Sequence, residues 1–265
     1  MYPFTYFRPT TIDEAVRLMK GAADGRVLAG GMSLLPSLKL RLAAPSELID
    51  LSALEELREV RFEPDHIRLG AMVKHVTVAD DPEIRRRLPA LADLAAGIGD
   101  PQVRNRGTIG GSISNNDPAA DYPAAVLGLG ATVETSKREI PADEFFKGLF
   151  ETALDDDELV TGVRFPIPAA ARYLKFRHPA SRFALAGVMV ARLGTGVRVA
   201  VTGAGPCVFR VTAFEQALSE RFDVASLSGL DISSEGLTSD IQADAEYRAH
   251  IVGTLARRAV TEIQV

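Results

Sequence analysis

The chain has 265 residues, of which 46% are hydrophobic and 25% charged, and its net charge is −5. This composition is typical of folded globular protein and excludes extended disorder, while the dispersed basic residues argue against a nucleic-acid surface. The single cysteine, Cys207, excludes an internal disulfide and any iron–sulfur cluster ligated by this chain alone, because such clusters usually need four thiolates.

The N-terminal segment Met1–Thr5 lacks the basic and apolar regions of a secretory signal. No apolar run reaches the roughly 18 residues that a membrane-spanning helix needs. We therefore expect a cytoplasmic protein without a membrane span, which an assembly can hold at the inner face of the membrane.

The first predicted unit ends before Leu48. Thr11-Ile12-Asp13-Glu14 forms a capping box, which predicts a helix start. The apolar run Arg26 to Ala29 predicts a short strand that ends in Gly30-Gly31. Helices are predicted at about 12–20 and, interrupted by Pro36, at 33–42, and a strand at 26–29.

The second predicted unit begins with a strand-like run at 48–51. Asp81-Pro82-Glu83 places an N-cap, a first-turn proline and an acid at a helix start. Helical segments extend to about 99, with a restart at Pro89, and a stretch rich in glycine and asparagine follows at 99–118. Strands are predicted at 67–73 and 131–135, and a further helix at 123–129.

Phe165-Pro166-Ile167-Pro168 predicts a stiff linker before a C-terminal domain at 169–265. Strands are predicted at 186–193 and 197–202, joined by a glycine turn, and helices at about 211–220 and 244–263. Strands and helices occur in mixed order without a clean repeat, which favours an α+β fold over a doubly wound sheet.

Two short glycine loops, Ala29–Ser33 and Thr108–Ser112, carry the main functional signal. Adjacent glycines lack the Cβ atoms that would keep a phosphate away from backbone N–H donors. A following helix adds partial positive charge, and the serines add hydroxyl donors. Neither loop matches the common nucleotide-binding motifs, and each also fits a tight structural turn, so the loops alone leave the ligand open.

Residues 26–42 begin Arg-Val-Leu-Ala-Gly-Gly-Met-Ser, and residues 104–121 contain Arg-Gly-Thr-Ile-Gly-Gly-Ser-Ile. These segments resemble the paired flavin loops of the FAD-binding medium subunit of molybdenum hydroxylases, a family that includes aerobic carbon monoxide dehydrogenase and xanthine dehydrogenase. The resemblance extends from Tyr6-Phe7-Arg8-Pro9 to Ala245-Glu246-Tyr247-Arg248.

The resemblance implies a two-subdomain FAD-binding domain of the vanillyl-alcohol-oxidase (PCMH-like) type at residues 1–168. Its subdomains would span about 1–54 and 55–168, with the flavin between them. A small α+β domain of the carbon monoxide dehydrogenase flavoprotein type, with about three strands, would occupy 169–265.

The resemblance also implies which residues contact FAD, and no side chain need act as an acid or base because the cofactor does the redox chemistry. The two glycine loops would hold the diphosphate, and Asp121 would accept a hydrogen bond from the adenosine half. Lys175 would approach the polar edge of the isoalloxazine, where its charge stabilises reduced flavin; without the resemblance, Lys175 fits a solvated lysine on an edge strand. The implied cofactor-binding residues are Val27, Leu28, Ala29, Gly30, Gly31, Met32, Ser33, Leu34, Ile98, Thr108, Ile109, Gly110, Gly111, Ser112, Asp121, Leu159, Val160 and Lys175.

Two positions depart from the family pattern. Met32 stands where many relatives carry Gln or His, so a side-chain hydrogen bond is lost there, and Ser112 replaces a frequent Asn. Neither change should abolish FAD binding if backbone donors hold the phosphates.

The function implied is that of an FAD-binding electron-transfer subunit of a heteromeric molybdenum hydroxylase. A large subunit would carry the molybdopterin cofactor and a small subunit two [2Fe-2S] clusters, in a dimer of heterotrimers. The alternatives are a stand-alone FAD-dependent alcohol oxidase of the vanillyl-alcohol type and a non-enzymatic flavin-binding module.

The remaining polar residues give weaker signals. The four histidines show no metal-ligand spacing, so we expect no metal site. His75 fits either a near-flavin position or an ordinary surface or core histidine. The acidic run Asp155–Glu158 fits a solvated turn, and Cys207 fits a buried, inert thiol.

Overall fold

The chain forms three successive units, each built around its own sheet, in a computed structural model that describes residues 1–264. The first unit has a parallel three-stranded sheet in the order β1-β3-β2. Its elements are β1 (Thr5–Phe7), α1 (Ile12–Gly21), β2 (Gly25–Leu28), α2 (Leu34–Lys39) and β3 (Glu47–Asp50).

The capping box starts α1 as predicted, with one change of partner. The Glu14 N–H donates to Thr11 Oγ1 over 3.2 Å, whereas the Glu14 carboxylate accepts from the N–H of Thr10. Ala15 on α1 is fully buried against Ile49 of β3. Met72 and Leu159, which come from the second unit, complete this small core, so the first two units pack directly on each other.

The second unit has an antiparallel five-stranded sheet in the order β4-β5-β10-β6-β7. Two 3-10 turns, Leu51–Ala53 and Glu55–Arg58, lead into it. Its elements are β4 (Val60–Phe62), β5 (His66–Gly70), α3 (His75–Asp80), α4 (Pro82–Arg87), α5 (Pro89–Ala96), α6 (Pro101–Arg106), α7 (Ile109–Asn115), α8 (Tyr122–Gly128), β6 (Thr132–Thr135), β7 (Glu139–Pro141), α9 (Ala142–Phe145), β8 (Phe146–Gly148), β9 (Glu151–Thr152) and β10 (Val160–Pro166).

Two Asp-Pro pairs set helix starts in the second unit. Asp81 Oδ1 accepts from two N–H groups of the first turn of α4, which confirms the predicted cap. Asp100 caps α6 in the same way before Pro101. The stretch 99–118 is therefore largely helical, and the prediction of one glycine- and asparagine-rich segment missed α6 and α7.

The third unit has an antiparallel four-stranded sheet in the order β11-β12-β13-β14, one strand more than predicted. Its elements are β11 (Ala170–Arg177), β12 (Ala184–Leu193), β13 (Gly196–Thr202), β14 (Phe209–Arg210), α10 (Thr212–Glu220), a 3-10 turn (Val224–Leu227) and α11 (Ala245–Gln264).

Strand β12 is buried on both faces, and its alternating side chains divide between two cores. Val188 and Val190 pack in a core that includes residues of α10 and α11. Met189 and Ala191 face the core of the second unit, where Met189 approaches the Cα of Gly128 on α8 so closely that a Cβ there would lie 2.6 Å from its Cγ. The second and third units thus share one continuous apolar core.

Three further sequence predictions differ in detail from the structure. Pro36 does not interrupt α2: it lies in the first turn, where a helix needs no N–H donor, and the helix ends earlier than predicted because Arg41 adopts a φ of 60°. Strand β5 ends at Gly70 rather than at residue 73. Strand β10 was not predicted as a strand, although it is the central strand of its sheet.

The mixed arrangement of helices and sheets agrees with the predicted α+β class. The sheet changes between Pro166 of β10 and Ala170 of β11. Among residues 1–264, no helix combines the length and the apolar composition needed to cross a membrane.

Candidate functional site

The two glycine loops, far apart in sequence, meet at the boundary between the first and second units. A Cβ on Gly30 would lie 2.2 Å from the carbonyl oxygen of Arg106 and 2.9 Å from the Cα of Gly107. A Cβ on Gly111 would lie 3.5 Å from that of Ala29. We call this contact between the two loops the glycine seam. It requires glycine at position 30, because any side chain there would overlap the Arg106–Gly107 backbone that leads into the second loop.

The first loop presents free backbone donors at the glycine seam. It follows β2, and Gly31 adopts a φ of +75°, a conformation that favours glycine. The N–H groups of Gly30, Gly31, Met32 and Ser33 donate to no protein acceptor among residues 1–264. The Ser33 side chain is exposed and caps no N–H of α2. Several converging donors without protein partners suit an anionic group such as a diphosphate.

The second loop uses its backbone donors inside the protein. The N–H of Ile109 donates to Val73 O over 3.1 Å, and that of Gly110 to Ala71 O over 2.9 Å. The N–H of Gly111 donates to Thr108 Oγ1, because Thr108 is the N-cap of α7. The expectation that both loops offer N–H donors therefore holds for the first loop only. The second loop contributes a surface without Cβ atoms and the half-buried hydroxyl of Ser112.

Two other predicted site residues, Asp121 and Lys175, contact each other directly. Lys175 Nζ donates to Asp121 over 2.9 Å and to the carbonyl oxygen of Gly97 over 3.0 Å. Tyr173, two residues before Lys175 on β11, donates its hydroxyl to the other Asp121 oxygen over 2.5 Å. The Lys175 and Asp121 side chains are only 4% and 5% exposed. This buried cluster of Asp121, Tyr173 and Lys175 ties β11 of the third unit to α8 of the second.

Burial dominates the electrostatics of this cluster. It raises the pKa of Asp121, an effect that the Lys175 charge and the Tyr173 hydrogen bond oppose. It also raises the pKa of Tyr173 well above its ordinary value, reinforced by the negative charge of Asp121. The tyrosine is therefore a neutral donor to the carboxylate at physiological pH.

The apolar residues predicted to line the flavin lie in the cores beside these features. Leu159 packs in the core of the first unit, together with Val27 and Ala29 of the first loop. Val160 begins β10 and packs in the core of the second unit, and the half-buried Ile98 packs against that core. Ile98 adjoins Gly97, so it lies beside the buried cluster.

Sequence reasoning missed Tyr173 and Gly107. Tyr173 lies two residues from Lys175 on a strand, and the two-residue periodicity of strands places both side chains on one face. Gly107 stands directly before the second loop, where a Cβ would lie 2.5 Å from Nε2 of His75. The sequence shows that Gly107 adjoins the second loop, but its contact with His75 arises only in the folded chain.

The other candidate groups are structural. Lys137 pairs with Asp155 and Asp157, while Glu158, predicted in a solvated turn, has a fully buried side chain that pairs with Arg138. Cys207 is half-buried rather than fully buried. No group of three or more histidine, cysteine, aspartate or glutamate side chains in residues 1–264 is arranged to hold a metal ion.

Comparison with known proteins identifies the family. The family model described as the FAD binding domain in molybdopterin dehydrogenase matches residues 2–168. The chain belongs to this family. It is 37% identical to the nicotine 6-hydroxylase medium subunit of Paenarthrobacter nicotinovorans and 34% identical to the carbon monoxide dehydrogenase medium chain of Hydrogenophaga pseudoflava. Each alignment covers 97% of this chain and 96% of the relative.

Solved structures give the same result for the fold. A chain of carbon monoxide dehydrogenase from Hydrogenophaga pseudoflava superposes with a TM-score of 0.88 at 34% identity, covering 100% of this chain and 98% of that one. A chain of quinoline 2-oxidoreductase from Pseudomonas putida 86 gives 0.89 at 28% identity, covering 99% and 98%.

This member of the family is therefore a medium, FAD-binding oxidoreductase subunit of the molybdenum-hydroxylase type, which confirms the resemblance found in its sequence. The PCMH-like FAD-binding fold is confirmed as well. FAD is the cofactor of this family's domain, and the open donors of the first loop fit its diphosphate.

Proposed function

We propose that this subunit takes electrons from the [2Fe-2S] clusters of a small partner subunit and passes them to an external acceptor such as a quinone or oxygen. A large partner subunit with the molybdopterin cofactor would hydroxylate the substrate. The observation that carries the proposal is the glycine seam, where the N–H groups of Gly30 to Ser33 have no acceptor within residues 1–264. FAD, when bound, supplies the redox chemistry that accepts and releases these electrons.

The chain's own residues would bind and orient the cofactor. The first loop would hold the diphosphate by its backbone donors, and Ser112 would add a hydroxyl from the second loop. Val27, Leu28 and Leu34 flank the first loop, and Leu159 shares its core, so these residues would fix the loop in place.

The buried cluster would contact the cofactor through hydrogen-bond donors and acceptors that its internal bonds do not use. Lys175 carries three N–H donors and uses two of them on Gly97 and Asp121. Asp121 accepts from Tyr173 and Lys175 and retains lone pairs for a further donor. Because Lys175 Nζ lies 2.9 Å from the Asp121 carboxylate, both side chains would contact the same part of the cofactor. The two implied roles, Asp121 toward the adenosine half and Lys175 toward the isoalloxazine, therefore do not both hold for an extended FAD.

The proposal of partner subunits follows from the number of cysteine thiolates that this chain offers to iron–sulfur clusters. A single cysteine is present, so the [2Fe-2S] clusters that deliver electrons must be ligated elsewhere. We place the assembly in the cytoplasm as a dimer of heterotrimers. Within this chain, residues 1–168 would form the FAD-binding domain and residues 169–265 the C-terminal domain.

The structure of the third unit argues against a stand-alone alcohol oxidase. Its sheet has α10 and α11 on one face and α5 and α8 of the second unit on the other. Both faces of the sheet are thus occupied by packed helices, which leaves the third unit little room for a substrate chamber.

The purified chain provides the test. We expect it to bind FAD in a 1:1 ratio by absorbance and to oxidise no small alcohol or aldehyde when assayed alone with oxygen or a dye acceptor. A Gly30→Val variant should lose FAD, because the added carbons overlap the Arg106 carbonyl. Turnover of an alcohol by the isolated chain would refute the electron-transfer role, and a wild-type chain that does not retain FAD would refute the cofactor assignment.

A further inference from the structure

His75 is a buried residue that packs against Gly107, next to the glycine seam. It is 5% exposed, and its ring packs at 5.2 Å, centroid to centroid, from that of Tyr122. The His75 N–H donates to Gly107 O over 3.0 Å, and the adjacent residues Lys74 and Thr108 form an antiparallel bridge. The main chain at His75 is therefore hydrogen-bonded to the backbone from which the second loop begins.

Gly107 transmits this contact to the first loop. On one side, a Cβ at Gly107 would lie 2.5 Å from His75 Nε2 and 2.7 Å from Cδ2, so the imidazole ring packs directly against the Gly107 backbone. On the other side, the Arg106–Gly107 peptide is the surface on which Gly30 packs. The ring packs against the Gly107 backbone, and the Arg106–Gly107 backbone packs against Gly30. In a close-packed arrangement we expect a displacement of the imidazole to move the peptide that supports Gly30.

We propose that His75 is a positioning residue for FAD binding: its imidazole sets the Gly107 backbone, which in turn sets the first glycine loop. This inference rests on the proposed FAD role of that loop. It also decides between the two positions that the sequence allowed for His75, since the ring is a core group that acts on the site through another residue.

The chemistry of the surroundings suits a neutral ring. Burial, and to a smaller degree the positive charge of Arg104 on α6, lower the pKa of His75 to about 4. Tyr122 on α8 faces the ring as a neutral phenol, because burial raises its pKa far above the physiological range. His75 Nδ1 has no acceptor in residues 1–264, so a second proton on the ring would be unpaired.

A double-mutant cycle on the isolated, FAD-binding chain tests the proposal. The FAD dissociation constant is measured by fluorescence titration, and the unfolding temperature of the apoprotein by circular dichroism, for His75→Ala, Gly107→Ala and the double variant. Val78→Ala is the matched control, because Val78 is a fully buried residue of the same helix with an apolar core role.

We expect each single variant to weaken FAD binding by at least ten-fold. The double variant should bind FAD more tightly than Gly107→Ala, because removal of the ring makes room for the added methyl group. Val78→Ala should lower the unfolding temperature while its FAD affinity stays within about two-fold of wild type.

A His75→Ala variant with wild-type FAD affinity would overturn the proposal, as would strictly additive effects in the cycle. If His75→Ala does not fold, the same comparison is made with His75→Gln, whose amide reaches toward Gly107, and with His75→Leu, which has no polar group. If His75→Leu folds and both variants bind FAD with the wild-type dissociation constant, the proposal is also overturned. These outcomes are distinct from failure of the proposed function, in which the wild-type chain itself binds no FAD.

Discussion

The Lys175→Met substitution tests the buried cluster of Asp121, Tyr173 and Lys175. The substitution keeps the length of the side chain but removes its charge, and it leaves the Asp121 carboxylate with the Tyr173 hydroxyl as its remaining partner. Removing one partner of a buried ion pair costs about 3–5 kcal/mol, because the other charge is left uncompensated. Since the side chains are only 4% and 5% exposed, we expect a loss of that size in the free energy of unfolding.

Urea unfolding followed by circular dichroism measures this loss. Replacing both charged groups, in Lys175→Met/Asp121→Asn, should restore most of the stability, since no buried charge remains unpaired. The surface pair formed by Lys137 supplies the control: Lys137→Met should cost no more than about 1 kcal/mol. The reasoning is refuted if Lys175→Met costs as little as Lys137→Met, or if the double variant is less stable than Lys175→Met.

Three further outcomes are expected. Gly30→Ala should weaken FAD binding at least ten-fold in a fluorescence titration because of its overlap with the Arg106 carbonyl, while Gly21→Ala, with open space around it, should leave affinity unchanged; equal affinities would contradict the glycine seam. Met32→Gln should tighten FAD binding about two- to ten-fold, the worth of one hydrogen bond of about 0.5–1.5 kcal/mol, and an unchanged dissociation constant would show that this side chain does not reach the cofactor. Because the pKa of His75 is lowered to about 4 in the folded chain, its contribution to stability is present above about pH 6.5 and lost as the pH falls toward 4. Urea unfolding at pH 7 and pH 5 should therefore differ by about 2 kcal/mol more in wild type than in His75→Gln, and parallel losses would exclude His75 as the source.

Local signals in the sequence predicted the helix caps and the strand that ends in the Gly30-Gly31 turn. Asp81 before Pro82 and Thr11 before Glu14 act within one helical turn, so their roles depend on neighbours that the sequence shows directly. The Gly30-Gly31 pair after a short strand belongs to the same class of signal.

The site contacts that the sequence did not predict join residues that are far apart along the chain. The donors of the second loop are taken by Ala71 and Val73, which become neighbours only when the loop packs beside the end of β5. Likewise, Asp121 and Lys175 are separated by 54 positions, and nothing in their local sequence indicates an ion pair. The family resemblance implied a cofactor contact for each of them, which stays a prediction, but it did not imply that they are partners of each other.

The most direct test of the central claim is the composition and redox behaviour of the complex purified from its native host through a tag on this chain. We predict about one FAD, one molybdenum and four irons per tagged chain, the irons belonging to two [2Fe-2S] clusters in a partner subunit. We also predict that, without oxygen, the FAD absorbance of the complex is bleached when the partner subunits are chemically reduced. The absorbance should recover when an electron acceptor is added. Recovery of the chain with FAD but without molybdenum and iron, together with alcohol oxidation by the chain alone, would contradict it.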